Sequence, residues 1–347
     1  MALTLLLTAV SCSSDAAGGG GASGLLGQLT DIGSGLRGPT GLAASVYGRG
    51  PANVAAMAFD PSGRLWFSTA AYDDKGTDGV YLLPKVGASP VRVLAGLHTP
   101  LGLLWSGGSL YVASKERVDA WSGLAGTHFS RHRTVLTLPT GVGESNGLVL
   151  APDGRLQLGI SAPCDHCAPS SRFSASVVSF RPDGSDLRID ARHIRAPVGL
   201  AYYPHTDDLF VTMDQRDDLG SRTPGDWLAV VRDGEDWRFP SCYGQGGRAC
   251  SGVPDPVATL DPHAGVDGVA IVTDQLGPSL TDSAIVAEWA TGQVQQVALT
   301  RSGDTYTGET AAFLTGIRHP SAVVVDPAGS LLVADWTTGT IYRIAAD

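Results

Sequence analysis

Charged and imidazole side chains recur directly before short apolar segments, at positions where a binding or catalytic site can form. These side chains belong to His98-Thr99, Glu144-Ser145-Asn146, Arg195-Ala196, His263 to Asp267 and Arg318-His319. Carboxylates and imidazoles accept protons or bind metal ions, and an arginine binds anionic groups. If the chain brings these segments together, the pattern indicates a site for a small polar molecule or a metal ion. The alternative is that they cap strand ends and pair with one another.

The apolar segments belong to a repeat, which supplies a way of bringing the charged residues together. Each unit has small residues at its start, an apolar strand, a turn containing Asp, Gly or Ser, and a second apolar strand. The six units start at Asn53, Pro100, Asn146, Pro197, Gly268 and Pro320. Most of their turns recur at intervals of about 45 residues, which is the length of a four-stranded propeller blade.

This repeat predicts an all-β chain, a six-bladed β-propeller of four-stranded antiparallel blades over residues 25–347. Residues 38–44 are predicted to form a strand that helps to close the ring with the last blade, and residues 220–262 a long loop. The innermost strand of each blade starts near the central channel, so we expect the charged segments at the channel mouth. A β-sandwich is the alternative, but it does not explain six repeats of one hairpin pattern.

The composition agrees with a globular domain and excludes some partners. The chain has 347 residues, of which 43% are hydrophobic, and this is enough for a large buried core. Its 45 glycines and 21 prolines favour many turns over long helices. The formal net charge is −10 without a basic cluster, so nucleic acids and anionic membrane surfaces are not expected as partners.

Residues 1–24 are predicted to be a lipoprotein signal peptide followed by a tether rich in Gly and Ser. The apolar run at residues 3–10 is shorter than the roughly 20 residues that span a bilayer. Ala9-Val10-Ser11-Cys12 looks like a bacterial lipobox in which Cys12 receives the lipid. The prediction is an exported, outward-facing protein that meets the membrane only through this anchor. An ordinary cleaved signal with an incidental cysteine is the alternative.

The four remaining cysteines predict two disulfides, as an even number does in an exported protein. Three pairings are possible for Cys164, Cys167, Cys242 and Cys250. The local pairs Cys164–Cys167 and Cys242–Cys250 are favoured because each of them brackets a loop. A zinc site is the alternative, since Cys-Asp-His-Cys at residues 164–167 offers three types of ligand.

Several blocks together resemble the glucose/sorbosone dehydrogenase family, the soluble quinoprotein sugar dehydrogenases. These blocks are Pro152-Asp153-Gly154-Arg155-Leu156, Cys164-Asp165-His166-Cys167, Pro262-His263-Ala264-Gly265, and the segments 182–244 and 319–344. The resemblance covers most of residues 38–344 and is strongest over 147–244. It implies the propeller fold and oxidation of a sugar or aldose, with pyrroloquinoline quinone (PQQ) and calcium at the channel mouth.

In that family a base takes the proton of a sugar hydroxyl, hydride passes to the quinone, and an arginine covers the cofactor. Arg195 matches this arginine, and Glu144 stands at the position of the family's basic histidine. The resemblance therefore assigns catalysis to Glu144 and Arg195. Residues assigned to cofactor binding are Arg195, His263 and Arg318, and those assigned to calcium are Asp217 and Gly220.

The chain departs from the family at several of these positions. Ala196 replaces a common asparagine, Asp226-Trp227 replaces an acidic-plus-Asn pair, and Trp289-Ala290-Thr291 replaces a Trp-Asn-Arg stretch. The last change removes a cation that would bind a cofactor carboxylate.

Two other functions therefore stay open. One is a metal-dependent, lactonase-like hydrolase with calcium held by Glu144, Asn146, Asp214 and Asp267. The other is a non-catalytic binding propeller at the cell surface that has lost the cofactor. The fold does not separate these functions from sugar oxidation.

Overall fold

The computed structural model describes residues 27–347 except 74, 170, 245–247 and 278–279. The described residues form 27 strands and two short 3-10 helices, which span Gly220–Arg222 and Arg248–Cys250. Within them no helix is long and apolar enough to cross a membrane. The predicted signal peptide, tether and Cys12 lie outside the described residues.

Three strands precede the first blade: β1 (Thr30–Gly33), β2 (Leu36–Gly38) and β3 (Leu42–Arg49). The first blade contains β4 (Val54–Phe59), β5 (Leu65–Thr69), β6 (Asp78–Leu83) and β7 (Val91–Leu97). The second contains β8 (Gly102–Ser106), β9 (Ser109–Ser114), β10 (Arg117–Ala125) and β11 (His128–Thr137). The third contains β12 (Ser145–Leu150), β13 (Leu156–Ile160), β14 (Ser176–Phe180) and β15 (Arg188–Arg192).

The second half of the chain forms the other three blades. The fourth contains β16 (Ala196–Tyr202), β17 (Leu209–Asp214), β18 (Gly225–Val231) and β20 (Ala258–Pro262). The short strand β19 (Glu235–Asp236) lies between β18 and β20 in the sequence and is not part of this blade. The fifth contains β21 (Val266–Val272), β22 (Ser283–Glu288), β23 (Gln293–Ser302) and β24 (Thr305–Thr315). The sixth contains β25 (Pro320–Val325), β26 (Leu331–Asp335) and β27 (Thr340–Ala346). The six-bladed, all-β prediction is confirmed.

The N-terminal strand β3 closes the ring by pairing antiparallel with β27 along its whole length. The sixth blade therefore joins the two ends of the propeller. The predicted closing strand at residues 38–44 is correct in principle but displaced, because β3 spans Leu42–Arg49. Gly38 belongs instead to the β1–β2 hairpin, which continues the sheet of the fifth blade through the pair Arg37 and Thr315.

The recurring Asp turns have a common hydrogen-bond pattern that explains the repeat. Asp60 Oδ1 accepts the amides of Ser62 and Arg64, both within 3.0 Å. Asp326 Oδ1 accepts the amides of Ala328 and Ser330 in the same way, both within 2.9 Å. A glycine with positive φ completes each turn, which an L side chain would strain. Each turn therefore pins the register of the two innermost strands of its blade.

Glycines in the innermost strands let neighbouring blades approach at the channel. A Cβ atom at Gly147 would lie 2.6 Å from the Val198 carbonyl oxygen, and one at Gly199 would lie 2.4 Å from the Asp267 carbonyl oxygen. No side chain fits at such distances. The register also shifts between Pro197 and Leu200 in β16, and at the same point of β4, β12, β21 and β25. Such bulges turn the strand starts toward the channel mouth.

Apolar side chains fill the spaces between adjacent blades. Trp66, Phe180, Phe210 and Phe313 are fully buried, each in a cluster that joins two blades. Burial of each such aromatic stabilises the fold by about 2–3 kcal/mol relative to exposure. The core is therefore spread around the ring, and the axis is left as a channel.

Both predicted disulfides are present, Cys164–Cys167 and Cys242–Cys250. The first closes a short loop after β13, and the second lies in the long segment between β18 and β20. Because their sulfur atoms are paired with each other, Cys164 and Cys167 are not zinc ligands.

Candidate functional site at the channel mouth

A cavity of about 480 Å³ opens where the innermost strands of several blades begin. Its carboxylates come from Glu144, before β12, from Asp214, at the end of β17, and from Asp267 in β21. Trp289 and Trp336 form apolar walls. The predicted convergence of the strand starts is therefore found for the third, fourth and fifth blades.

Arg195 lies against this cavity but is held by carboxylates. Its Nη1 donates to Asp214 Oδ2 at 2.7 Å, and its Nη2 forms an ion pair with Asp165 Oδ1 at 2.6 Å. Asp217 Oδ2 is 3.7 Å from the same Nη2, and only 15% of the arginine side chain is exposed. Burial opposes the charge of Arg195, but the three carboxylates prevail and raise its pKa. The guanidinium is therefore a neutralised cation.

The Cys164–Cys167 loop supplies one of these carboxylates. Asp165 lies between the two cysteines and accepts the amides of Asp217 and Asp218, each at 2.9 Å. The disulfide therefore holds the acid that positions both Arg195 and the loop after β17. This contact spans more than 50 residues of sequence.

His263 connects the two residues that the sequence assigns to calcium. Its Nδ1 lies 3.0 Å from Asp217 Oδ1, and its Nε2 lies 3.1 Å from the carbonyl oxygen of Gly220. Both partners are hydrogen-bond acceptors, so each ring nitrogen bonds to its partner only as a donor. The imidazole therefore engages both oxygen atoms, and a calcium ion would have to displace it.

Arg318 lies outside the cavity, whereas His319 contacts one of its walls. The Arg318 side chain is exposed and does not line the cavity. His319 stacks on Trp289 with ring centroids 4.2 Å apart, and Trp289 meets Trp336 edge to face at 5.5 Å. This aromatic group supports the wall of the cavity, and the sequence analysis missed Trp336.

The carboxyl groups of Asp226 and Asp214 hold protons unusually firmly. Burial and the neighbouring charge of Asp214 raise the pKa of Asp226 to about 9. Asp226 accepts the Gln215 amide at 2.7 Å and is 1% exposed. Desolvation also raises the pKa of Asp214, although Arg195 opposes this shift. At neutral pH, Asp226 is therefore a neutral carboxylic acid.

Asp267 lies at the junction of the cavity and a narrower channel of about 160 Å³ below it. Asp267 is half-buried, because one side of the residue borders the cavity and protein encloses the rest. Desolvation, followed by the charge of Asp214, raises the pKa of Asp267 to about 7. A carboxyl with this pKa is suited to exchange protons near neutral pH. The sequence indicated this residue only as a strand start and as a possible calcium ligand.

Tyr72 and Asn146 complete the polar lining. Tyr72 has a left-handed backbone at φ 56° and is 56% exposed, because its side chain borders the open mouth. Desolvation in the cavity and the charges of Asp267 and Glu144 raise its pKa. Asn146 is 3% exposed, and its Nδ2 donates to Ser161 Oγ and to the Pro197 carbonyl. Asn146 lines the cavity, and its Oδ1 is left as an acceptor.

The lining is acidic and rich in acceptors. Among the described residues, no Lys or Arg side chain is part of it. Also among them, no three His, Cys, Asp or Glu side chains are grouped as a metal site would require. The roles assigned from the sequence to Glu144, Arg195, His263, Arg318, Asp217 and Gly220 stay predictions.

The fold is that of soluble PQQ-dependent sugar dehydrogenases. The PQQ-bound aldose sugar dehydrogenase of Streptomyces coelicolor matches with a TM-score of 0.68 and 19% identity over 89% of this chain and 99% of that chain. The holo PQQ domain of pyranose dehydrogenase from Coprinopsis cinerea matches with a TM-score of 0.71 and 13% identity, covering 89% and 97%. A calcium structure of an AA12 family enzyme from Trichoderma reesei matches with a TM-score of 0.72 and 16% identity, covering 92% and 98%.

The likeness is one of fold, since no family model and no curated protein matches the chain by sequence. The expectation of a sugar dehydrogenase-like propeller is confirmed at this level. At such identities the chemistry has to be argued from the residues of this chain.

Proposed function

We propose that this protein binds a sugar at the channel mouth and oxidises one of its hydroxyl groups. The observation that carries the proposal is the cavity on the propeller axis, which places two carboxylates, Glu144 and Asp267, beside two tryptophan walls. Aromatic faces pack on the C–H surfaces of a sugar, and carboxylates accept hydrogen bonds from its hydroxyls. Asn146 Oδ1 adds a further fixed acceptor.

Either carboxylate is suited to take the hydroxyl proton as the sugar is oxidised. The sequence resemblance points to Glu144, whereas the pKa of about 7 favours Asp267. The two electrons must leave with hydride to an acceptor, which is the chemistry that PQQ supplies when bound. The external electron acceptor is not identified by any feature of the chain.

The residues present fit PQQ and calcium poorly as they stand. The quinone carries three carboxylates, and the cation nearest the cavity, Arg195, already contacts Asp165 and Asp214. Calcium prefers oxygen donors such as Asp217 and the Gly220 carbonyl, but His263 bonds to both. The cofactor part of the proposal therefore requires that calcium displaces His263 and offsets the charge of the quinone.

A second candidate function is a non-catalytic binding propeller, and the state of Arg195 favours it. An arginine that meets two carboxylates at 2.6 and 2.7 Å gives little to an incoming anion. The lactonase-like alternative has less support, because its expected ligands Glu144, Asn146, Asp214 and Asp267 line one cavity, but among the described residues no three acidic or imidazole side chains lie close enough together to hold a metal ion.

The cellular setting is also part of the proposal. We propose export and anchoring through a lipid on Cys12, facing outward. The two disulfides support an oxidising compartment. Labelling cells with a radioactive fatty acid tests the anchor, since Cys12→Ser should remove the label from the protein.

Calorimetric titration of the full-length chain with PQQ, with and without calcium, tests PQQ-dependent sugar oxidation. We expect PQQ to bind only in the presence of calcium, and aldoses then to reduce a dye acceptor. Absence of binding at high micromolar PQQ in calcium buffer would overturn sugar oxidation with this cofactor and leave the binding propeller.

A further inference from the structure

We propose that the cavity at the channel mouth selects an amino sugar, a sugar that carries a protonated amine, over neutral and anionic sugars. The sugar part rests on the proposed function, and the preference for a cation rests on the cavity alone. The occupant is thus identified by three features of this site: its charge, its aromatic walls and a buried acceptor.

The charge of the lining is the first observation. Glu144, Asp214 and Asp267 contribute carboxyl groups to one cavity, and none of the described lining residues is Lys or Arg. Asp214 is paired with Arg195 through Oδ2, so Glu144 and Asp267 are the carboxyl groups through which the lining meets a ligand. An ammonium group has three donors and no acceptor, so it matches such a lining.

The aromatic walls are the second observation. Trp289 and Trp336 both face the cavity and meet edge to face at 5.5 Å. His319 stacks on Trp289 and fixes the orientation of its ring. Tryptophan attracts cations over its face more strongly than other aromatic side chains do. These walls are apolar enough for a sugar ring and also favour a positive charge.

The third observation is a fixed, buried acceptor. Asn146 is 3% exposed, and both hydrogens of its amide are used, by Ser161 Oγ at 2.8 Å and by the Pro197 carbonyl at 2.9 Å. The amide cannot rotate to present its nitrogen without losing both bonds. Asn146 lines the cavity, and with Nδ2 fixed in this way its Oδ1 is the side-chain atom that can accept a hydrogen bond from a ligand. The Asn146 amide oxygen is separate from the carboxylates and favours the same kind of ligand, a hydrogen-bond donor.

The size of the cavity distinguishes an organic cation from a bare metal ion. About 480 Å³ is far more than one ion needs, and among the described residues no three acidic or imidazole side chains are grouped to bind a metal. A pyranose with an amine fits the volume that small-ligand sites typically have. The amine would lie among the carboxylates, and the ring against the tryptophans.

Calorimetric titration of the PQQ-free full-length chain at pH 7.2 and low salt, where Asp267 is largely ionised, tests this preference. The ligands are glucosamine, glucose, N-acetylglucosamine and glucuronate, which share a ring and carry charges of plus one, zero, zero and minus one. We expect glucosamine to bind at least about tenfold more tightly than glucose, because a partly buried charge-assisted contact supports such a ratio. We also expect no heat from glucuronate.

Matched variants show which carboxylates are responsible. Glu144→Gln and Asp267→Asn keep shape and remove charge, and each should reduce the preference for glucosamine about three- to tenfold. Glu309→Gln, on the exposed face of β24, should leave the preference for glucosamine unchanged. Thermal unfolding of each variant checks folding, and if one variant does not fold, the other still decides.

The outcomes separate this inference from the proposed function. Equal affinity for glucosamine and glucose would overturn the selection of amino sugars whatever PQQ does, and a preference that survives both variants would overturn the role of Glu144 and Asp267 in it. Binding of calcium alone that both variants abolish, without any binding of glucosamine, would also overturn it and assign a metal site. Selective glucosamine binding without any PQQ binding would support the inference and remove sugar oxidation with that quinone.

Discussion

The Arg195 guanidinium donates to the Asp214 carboxylate at 2.7 Å, and this contact sets the electrostatics of the channel mouth. It occupies the cation that the sequence resemblance assigns to a cofactor. Asp214 also interacts with the buried carboxyl group of Asp226. The pair therefore explains why the cavity beside an arginine is acidic.

Removing Arg195 should destabilise the protein strongly. Arg195→Ala would leave the carboxylates of Asp165, Asp214 and Asp217 together without their cation, and we expect a loss of about 3 kcal/mol in the free energy of unfolding. Arg195→Lys should recover only part of it, since an ammonium does not bridge two carboxylates as the planar guanidinium does. Denaturant unfolding followed by fluorescence measures both.

Arg318→Ala is the matched control for Arg195. Arg318 is exposed and outside the cavity lining, so its loss should change the free energy of unfolding by less than about 0.5 kcal/mol. Equal effects at the two arginines would contradict the ion-pair network.

The two disulfides should differ in their effect on the site, although not in their effect on stability. Each closes a short loop, and loop-closure entropy gives about 2–3 kcal/mol for either. Replacing Cys164 and Cys167 by Ser also frees Asp165 from the amides of Asp217 and Asp218. We expect this double variant to lose ligand affinity at the channel mouth, as measured by calorimetry with glucosamine or PQQ.

The pair Cys242–Cys250 is the control for that measurement. Its replacement by Ser should lower the melting temperature similarly but leave ligand affinity within about twofold, because the carboxylates that hold Arg195 belong to Asp165, Asp214 and Asp217, outside that loop. A loss of affinity in both double variants would mean that general destabilisation, and not Asp165, is the cause.

Sequence reasoning identified the fold because its signals are local. An Asp turn such as Asp60 to Arg64 is closed by side-chain bonds over four residues, and small residues such as Gly199 mark the close approach of strands. The favoured disulfides were also short-range contacts. Periodic local features of this kind carry over directly from sequence to structure.

The state of the site depended on contacts that a linear pattern does not reveal. Arg195 meets Asp165 across 30 residues, and His263 meets Asp217 across 46. The convergence at the mouth was predicted and is found for three blades, but His98 and Arg318 lie outside the cavity, and the sequence did not indicate that Arg195 would be held by carboxylates. The sequence also did not indicate that Tyr72 would border the cavity, because no sequence pattern predicts a tyrosine with a left-handed backbone conformation in a loop.

Asp226 should make the protein less stable as the pH rises. Its pKa is raised to about 9, by burial and by the charge of Asp214, from about 3.9 in an unfolded chain. The folded state therefore keeps a proton that the unfolded state releases. Its contribution is fully present below about pH 4 and is lost progressively as the pH rises towards about 9.

Asp226→Asn isolates this contribution. Asparagine stays neutral at every pH and keeps an acceptor for the Gln215 amide. We expect the melting temperature of the wild type to fall more steeply between pH 5 and pH 9 than that of the variant. Parallel curves would show that Asp226 does not hold its proton in the folded protein.

The pH dependence of sugar oxidation should distinguish the two carboxylates that can act as the base. Asp267 has a pKa raised to about 7, through desolvation first and then the charge of Asp214. A general base works in its deprotonated form, so kcat/KM for the preferred sugar should rise with pH up to about 7 and then level off. A dye-linked assay with PQQ and calcium measures the profile.

Neutral variants assign that rise to one residue. If Asp267 is the base, Asp267→Asn should lower kcat by roughly 100-fold or more and abolish the rise near pH 7, whereas Glu144→Gln should mainly raise KM. The reverse result would assign the base to Glu144, as the sequence resemblance does. Carbon-13 NMR of the Asp267 carboxyl gives an independent reading, since a titration near pH 4 would remove the physical reason for preferring Asp267.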